Sequence, residues 1–194
     1  MGSKLLAIMG SPRRGGNTDV LVDVAVDEFT SRGGHAEKVR VAELDIRPCQ
    51  GCFACMAGDG LESLCTQLDD MTDLYQKLRE ADRLIWATPI YMWSPTGQMK
   101  LFLDRLFPTG DYQSTRWRRL LAGKRVGFII VYAEEDPLDS GLTQTRDILK
   151  VTAEASGAEV AFTVHSTVGD KGTAKDDAVL VGRVREAAAT LVGS

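Results

Sequence analysis

Gly10-Ser11-Pro12-Arg13-Arg14-Gly15-Gly16-Asn17-Thr18 separates an apolar run, Lys4-Leu5-Leu6-Ala7-Ile8-Met9, from a segment in which Val20, Leu21, Val24, Ala25 and Phe29 recur at helical spacing. The run is short enough for a buried strand, so the loop joins a strand to a helix. The first turn of a helix leaves backbone N–H groups without partners and carries partial positive charge, and an anion fits there. Glycines let the backbone wrap closely. Ser11 and Thr18 offer hydroxyls, Arg13 or Arg14 offers charge-assisted bonds, and Asn17 can bond the loop to itself. Two commoner phosphate loops fail on spacing. A nucleoside-triphosphate loop read back from Thr18 finds Asn17 in place of lysine and Ser11 in place of its first glycine, and Gly10 lacks the glycine two residues on that a dinucleotide fingerprint requires. A monophosphate suits what remains. The competing reading is a Gly-rich turn that ends in a polar cap.

The chain has 194 residues and 44% hydrophobic content, enough for one good core, and a single domain over residues 1–194 is expected. Its net charge of -4 and the lack of a long basic run argue against nucleic acid as a partner. No apolar run approaches a signal-peptide core or a membrane span, so no membrane partner and a cytoplasmic location are expected. Four cysteines without a secretory signal point to free thiols, a metal or a cluster rather than structural disulfides.

Strand and helix signals alternate from end to end, the pattern of a parallel α/β sheet. Strands are predicted near 4–9, 36–41, 83–88, 125–132 and 159–165, with helices over about 18–32, 70–80, 96–107, 141–156 and 173–191. Gly33-Gly34 and Gly157 supply helix stops. The first, third and fourth strands are nearly continuous apolar runs, as strands covered on both faces should be. The second and fifth alternate or carry charge, which suits edges. The predicted order is therefore 2-1-3-4-5, and a ligand belongs beyond the C-terminal ends of strands one and three.

After strand three comes Ala87-Thr88-Pro89-Ile90-Tyr91-Met92-Trp93-Ser94-Pro95-Thr96, read as a loop that prolines stiffen and in which Tyr91 and Trp93 offer flat faces to a planar ring. A phosphate site beside an aromatic loop describes a nucleotide with a large planar ring. Gly10-Ser11-Pro12-Arg13 with Gly16-Asn17-Thr18, Pro89-Ile90-Tyr91, Gly97-Gln98-Met99-Lys100 with Asp104-Arg105, and Cys49-x2-Cys52-x2-Cys55 all lie within residues 1–140. In these segments the chain resembles the flavodoxin-like flavoproteins, in particular the NAD(P)H-dependent FMN reductases and the iron-sulfur flavoproteins.

The resemblance implies a flavodoxin-like three-layer sandwich, a five-stranded parallel sheet with helices on both faces. It implies that Ser11, Arg13, Gly16, Asn17 and Thr18 hold the phosphate of FMN, while Pro89, Ile90, Tyr91 and Trp93 lie along its ring system. It also places the loop after strand four, Tyr132-Ala133-Glu134-Glu135-Asp136-Pro137, near the ring; that loop is more acidic than in many relatives. Lys100, Asp104 and Arg105 match a family pattern, but their spacing also allows plain surface ion pairs. Arg116-Trp117-Arg118-Arg119 is read as a solvated loop or as a reader of a nicotinamide cofactor's phosphate. His35 and His165 fall on edge strands with no partner that suggests catalysis.

The cysteines leave three readings open. Zinc sites take cysteines in separated pairs, whereas Cys49, Cys52 and Cys55 at close spacing with Cys65 farther on is the habit of a [4Fe-4S] cluster. Gly58, Asp59 and Gly60 fall in the long Cys55–Cys65 spacing, which departs from the compact motif of cluster-bearing relatives. A loop of reduced thiols and a redox Cys-x2-Cys are the alternatives.

By the resemblance, electrons pass from NAD(P)H through FMN to a small-molecule acceptor, a quinone, azo or nitro compound or flavin, with no catalytic side chain. A homodimer or tetramer is the family's habit. The alternative is an electron carrier in which a ferredoxin reduces a [4Fe-4S] cluster on the four cysteines; a flavin-free binding module is the third reading.

Overall fold

Each residue of β1 (Lys4–Met9) beyond Lys4 is buried, and successive side chains enter opposite cores. The computed structural model describes residues 2–56, 65–109, 120–133 and 140–192. β1 pairs in parallel with β2 (His35–Arg40) on one side and β3 (Arg83–Tyr91) on the other. β3 continues the sheet to β5 (Arg125–Tyr132), and β5 to β6 (Glu159–Thr167). Among the parallel strands the order is β2-β1-β3-β5-β6, so the predicted order, with β2 and β6 at the edges, is the one observed.

Among the described residues five α-helices complete the layers. α1 (Asn17–Ser31) and α5 (Ala178–Ala189) cover one face, where Leu21, Phe29, Leu180 and Val184 meet Leu5, Ala7, Ile85 and Ile129. α2 (Met71–Glu80), α3 (Gly97–Asp104) and α4 (Leu142–Ala155) cover the other, where Leu74, Phe102 and Leu149 belong to the same core as Leu6, Ile8, Trp86 and Phe128. Trp86 lies edge-on to Phe102, with ring centroids 5.7 Å apart, and stacks on Phe128 at 6.0 Å. Full burial of each such side chain contributes about 1.5–3 kcal/mol. No helix among the described residues is long and apolar enough to cross a membrane.

Three expectations are corrected. Residues 87–96 are not a loop: β3 runs on to Tyr91, and β4 (Ser94–Pro95) folds back antiparallel, pairing Tyr91 with Ser94 and Ile90 with Pro95. The third helix ends at Asp104. The last breaks at Asp177, whose carboxylate accepts from the Val179 and Leu180 N–H groups and starts α5 after a short 3-10 turn (Thr173–Asp176). Arg116–Arg119, the acidic stretch 134–137 and residues 58–60 lie outside the described residues.

Candidate functional site

β1 ends at Met9, and the chain turns at once into the phosphate loop. Gly10 donates its N–H to Ala87 O at 2.7 Å, and its carbonyl accepts from the Thr96 hydroxyl at 2.7 Å. The same hydroxyl accepts from Met99 N and caps α3, so one buried threonine ties the loop to the element after the β3–β4 hairpin. A Cβ on Gly10 would stand 2.8 Å from Met99 Cβ, which is why no larger residue fits.

The loop leaves its own donors available. Ser11 Oγ accepts from Arg13 N at 3.2 Å, which keeps its proton for another acceptor. Gly16 caps α1 with no side-chain bond, and the helical ladder starts at Val20 N to Gly16 O, so the N–H groups of residues 17 to 19 stand outside it. Arg14 pairs with Glu43 at 2.8 Å, whereas the Arg13 guanidinium has no partner among the described residues. Of the two arginines, Arg13 is therefore the one left for an anion.

Asp19, in the first turn of α1, is buried and holds the loop from below. Its carboxylate accepts from Gly15 N at 2.7 Å, from Lys38 Nζ at 2.9 Å and from Arg40 Nη2. Burial alone would raise this carboxyl, but the bonds from Arg40, Lys38 and Gly15 more than offset it and hold the group at about 2, below the usual 3.8. Two β2 cations thus neutralise an acid that would otherwise repel a phosphate.

Ser11, Arg13, Gly16, Asn17 and Thr18 line one cavity of about 120 Å³ with Pro89, Ile90 and Tyr91, as the sequence pairs them. Its far wall is Val131, Tyr132 and Ala133 at the end of β5, and Val168, Gly169 and Lys171 after β6. The β6 contribution escaped sequence reading, although Gly169-Asp170-Lys171-Gly172 follows a strand whose C-terminal end faces the ligand side. Asn17 joins the two loops: its Nδ2 donates to Asp170 O at 2.7 Å and its Oδ1 accepts from Ala174 N at 3.1 Å. Lys171, like Arg13, has no ionic partner among the described residues.

Trp93 does not line this cavity. It shares the tip of the hairpin with Met92, both exposed and both in the left-handed region, at φ 60° and 48°. Such a turn ordinarily takes Asn-Gly, so two large residues there are strained. Gly141, at φ 81° before α4, lies so close that a Cβ on it would stand 2.4 Å from Trp93 Cα. His165, expected to have no partner that suggests catalysis, meets the Tyr132 hydroxyl through Nδ1 at 3.1 Å. Burial, then Arg183 and Arg146, lower the His165 pKa, and burial raises that of Tyr132.

The four cysteines border a second cavity, of about 360 Å³, together with Phe53, Gln67, Asp104, Arg105 and Phe107 among others. Cys49 and Cys52 are exposed; Cys55 and Cys65 are half-buried, and all four are free thiols. Burial, then the neighbouring Cys65, push the Cys55 thiol up. Among the described residues no three acidic, histidine or cysteine side chains converge on one metal ion. Lys100 and Asp104 form the surface pair that their spacing allows. Arg105 does not: it is 1% exposed and grips the Asp69 carboxylate, itself 0% exposed, with Nη1 to Oδ2 at 2.6 Å and Nη2 to Oδ1 at 3.1 Å. Its place three residues after Phe102, at the C-cap in line with the apolar stripe of α3, was the signal for burial.

A family model described as NADPH-dependent FMN reductase matches residues 3–167. The chain belongs to the NADPH-dependent FMN reductase family. The family's cofactor is FMN, and the uncapped helix start, the Ser11 and Thr18 hydroxyls, and Arg13 and Lys171, which have no ionic partner among the described residues, fit its phosphate. One relative, an iron-sulfur flavoprotein of Archaeoglobus fulgidus, is 39% identical over 130 residues, 67% of this chain and 54% of that protein. Another iron-sulfur flavoprotein of the same organism is 28% identical over 181 residues, 89% of this chain and 88% of that one. The chain spans about half the length of the first curated relatives that it matches. An NAD(P)H:quinone oxidoreductase of Methanothermobacter marburgensis superposes with a TM-score of 0.73 over 100% of this chain and 98% of its own, at 14% identity. The fold is thus shared with a protein whose sequence differs at most positions.

Proposed function

We propose that this chain is an FMN-dependent oxidoreductase that passes electrons from NAD(P)H to a small-molecule acceptor such as a quinone, an azo or nitro compound, or free flavin. The observation that carries the reading is the 120 Å³ cavity, where the β1 and β3 segments named by the sequence share a wall. Bound there, FMN supplies hydride and electron transfer. The chain's own residues do the rest. Ser11 and Thr18 hydroxyls and the α1 N–H groups from Asn17 on bond the phosphate, and Arg13 and Lys171 neutralise it from opposite loops. Gly16 lets the backbone approach. Asn17 acts by clamping the β6 loop with its side-chain amide. Pro89, Ile90 and Tyr91 border the ring system, and Trp93 stands beyond them at the strained, exposed tip.

The test is a visible spectrum of the purified chain, followed by titration with FMN and riboflavin. Flavin bands, FMN binding at least tenfold tighter than riboflavin, and NADH or NADPH oxidation that needs an added quinone or dye are expected. A colourless protein that binds no added FMN would restore the binding-module reading. A single domain over residues 1–194, a cytoplasmic location and assembly as a homodimer or tetramer complete the proposal, with neither nucleic acid nor membrane as a partner.

A second reading rests on a specific observation: Cys49, Cys52, Cys55 and Cys65 border one cavity. Four cysteines around one cavity match the ligand count of a [4Fe-4S] cluster, and a ferredoxin would then be the electron donor. Anaerobic purification with iron and sulfide analysis separates the readings: about four irons per chain supports the carrier.

A further inference from the structure

Thr88 and Thr96 are both fully buried, and neither lines the flavin cavity. They lie between its two halves. On one side the Thr96 hydroxyl donates to Gly10 O at 2.7 Å, at the root of the phosphate loop, while accepting from Met99 N at 3.1 Å. On the other, Thr96 N donates to Thr88 Oγ1 at 3.2 Å, and that hydroxyl donates to Pro89 O at 2.8 Å. Gly10 N to Ala87 O at 2.7 Å adds a direct bond between the two segments. Both hydroxyl protons are thus committed within the fold. Sterics set the same spacing: a Cβ on Gly10 would stand 2.8 Å from Met99 Cβ and 3.3 Å from Thr96 Oγ1, so the loop is seated directly on the start of α3. Ser11 and Arg13 follow Gly10 into the cavity, and Pro89, Ile90 and Tyr91 follow Thr88.

We propose that Thr96, with Thr88 beside it, is a positioning residue that fixes the spacing between the phosphate loop and the β3 wall, so that the site selects a phosphate and a planar ring joined in one molecule. This rests on the flavin reading. The two halves stand on different strands, and each binds only its own part of a ligand. Joining the parts makes the second contact intramolecular, and the gain depends on how well the tether matches the span between the halves. Satisfied hydrogen bonds between buried groups hold such a span rigidly. Riboflavin and inorganic phosphate each engage one half and are indifferent to the spacing. FMN engages both and depends on it.

The test titrates the full chain and its Thr96→Val, Thr96→Ser and Thr88→Val variants with FMN and with riboflavin, and measures inorganic phosphate as a competitor of FMN. Valine keeps the branch at Cβ but has no hydroxyl, whereas serine keeps the hydroxyl. Expected for Thr96→Val is FMN weaker by about tenfold or more, with riboflavin and phosphate each within about twofold of wild type. Thr96→Ser should hold FMN within about threefold of wild type. Thr88→Val leaves the Thr96–Gly10 bond and the α3 cap in place and keeps a good strand former in β3, so it carries the test if Thr96→Val does not fold. It should show the same loss confined to FMN. Phosphate weakened in step with FMN would overturn the proposal, because Thr96 would then only shape the phosphate loop, as loss of Arg13 would. Equal losses of FMN and riboflavin, or FMN affinity unchanged in both valine variants, would also overturn it. A wild-type chain that binds neither flavin overturns the flavin reading, and this proposal with it.

Discussion

Residues 10–19 and 47–56 follow neighbouring strands, β1 and β2, and each borders a cavity. In the first, the backbone is fixed from several sides: Gly10 N by Ala87, Gly10 O by Thr96, Gly15 N by Asp19, and Asn17 by the loop after β6. In the second, the anchors sit at the start, where Arg47 N donates to Asp69 and Pro48 O accepts from Gln67. None of the hydrogen bonds found among the described residues reaches Cys49 to Cys52, and Phe53 stands exposed at a positive φ of 54°. One region is shaped before any ligand arrives. The other borders its cavity with free thiols and has few anchors among the described residues. A cofactor should therefore shift the unfolding of the first region little beyond its binding energy, whereas ligation of the second should order it.

The largest expected effect tests whether the regions are separable. Asp69→Ala leaves Arg105 buried and unpaired, which should cost about 3–5 kcal/mol of stability. A fall in denaturant midpoint at unchanged slope, with FMN affinity within about threefold of wild type, would keep the two regions independent. A tenfold loss of FMN affinity would join them. Next comes Gly141→Ala, whose Cβ would meet the Trp93 backbone and whose φ of 81° suits no side chain. It should cost about 3 kcal/mol and weaken riboflavin and FMN alike, because it moves the hairpin rather than the phosphate loop.

The contrast also explains what the sequence made legible. Strand order followed from burial: Leu5 to Met9 and Val126 to Tyr132 read as covered on both faces, and both are central. The phosphate loop followed from local chemistry, since its glycines, hydroxyls and amide adjoin one another along the chain. The hairpin did not. Met92 and Trp93 are poor turn formers, and the tip is held by tertiary contact with Gly141, which no local pattern announces. Arg105 was masked in the same way: its meaning depends on Asp69 and Arg47, distant in sequence and joined to it only by the fold. Lys171 needed the sheet, because only strand order brings the end of β6 to the same cavity as β1.

Asp19→Asn is a smaller change inside the preformed region. The native carboxyl titrates at about 2 against about 3.8 when unfolded, so its contribution is complete above pH 4 and is lost as the pH falls through about 2. At neutral pH the substitution should cost about 2 kcal/mol. Its signature is specific: weaker binding of FMN, which needs the Gly15 turn, with riboflavin affinity unchanged. Acid unfolding curves of wild type and variant should converge toward pH 2. Equal losses for both flavins would show that Asp19 supports the core rather than the loop.

The smallest effect is expected at Arg14, and it is the sharpest check on how the loop divides its two arginines. Arg14 is exposed, and its pairing with Glu43 is a surface ion pair worth about 0–1 kcal/mol, weakened further by salt. Arg13, one residue earlier, borders the cavity and has no such partner among the described residues. Arg14→Ala should leave stability within about 0.5 kcal/mol and FMN affinity within about twofold. Arg13→Ala should lose a charge-assisted bond of about 1.5–3 kcal/mol, a ten- to hundredfold weaker FMN dissociation constant with riboflavin unaffected. If both variants lost affinity equally, the Glu43 pair would not survive in solution, and both arginines would reach for the phosphate. If only Arg14 mattered, the side chains would have exchanged places, and the phosphate would lie on the β2 side of the loop instead of facing β6.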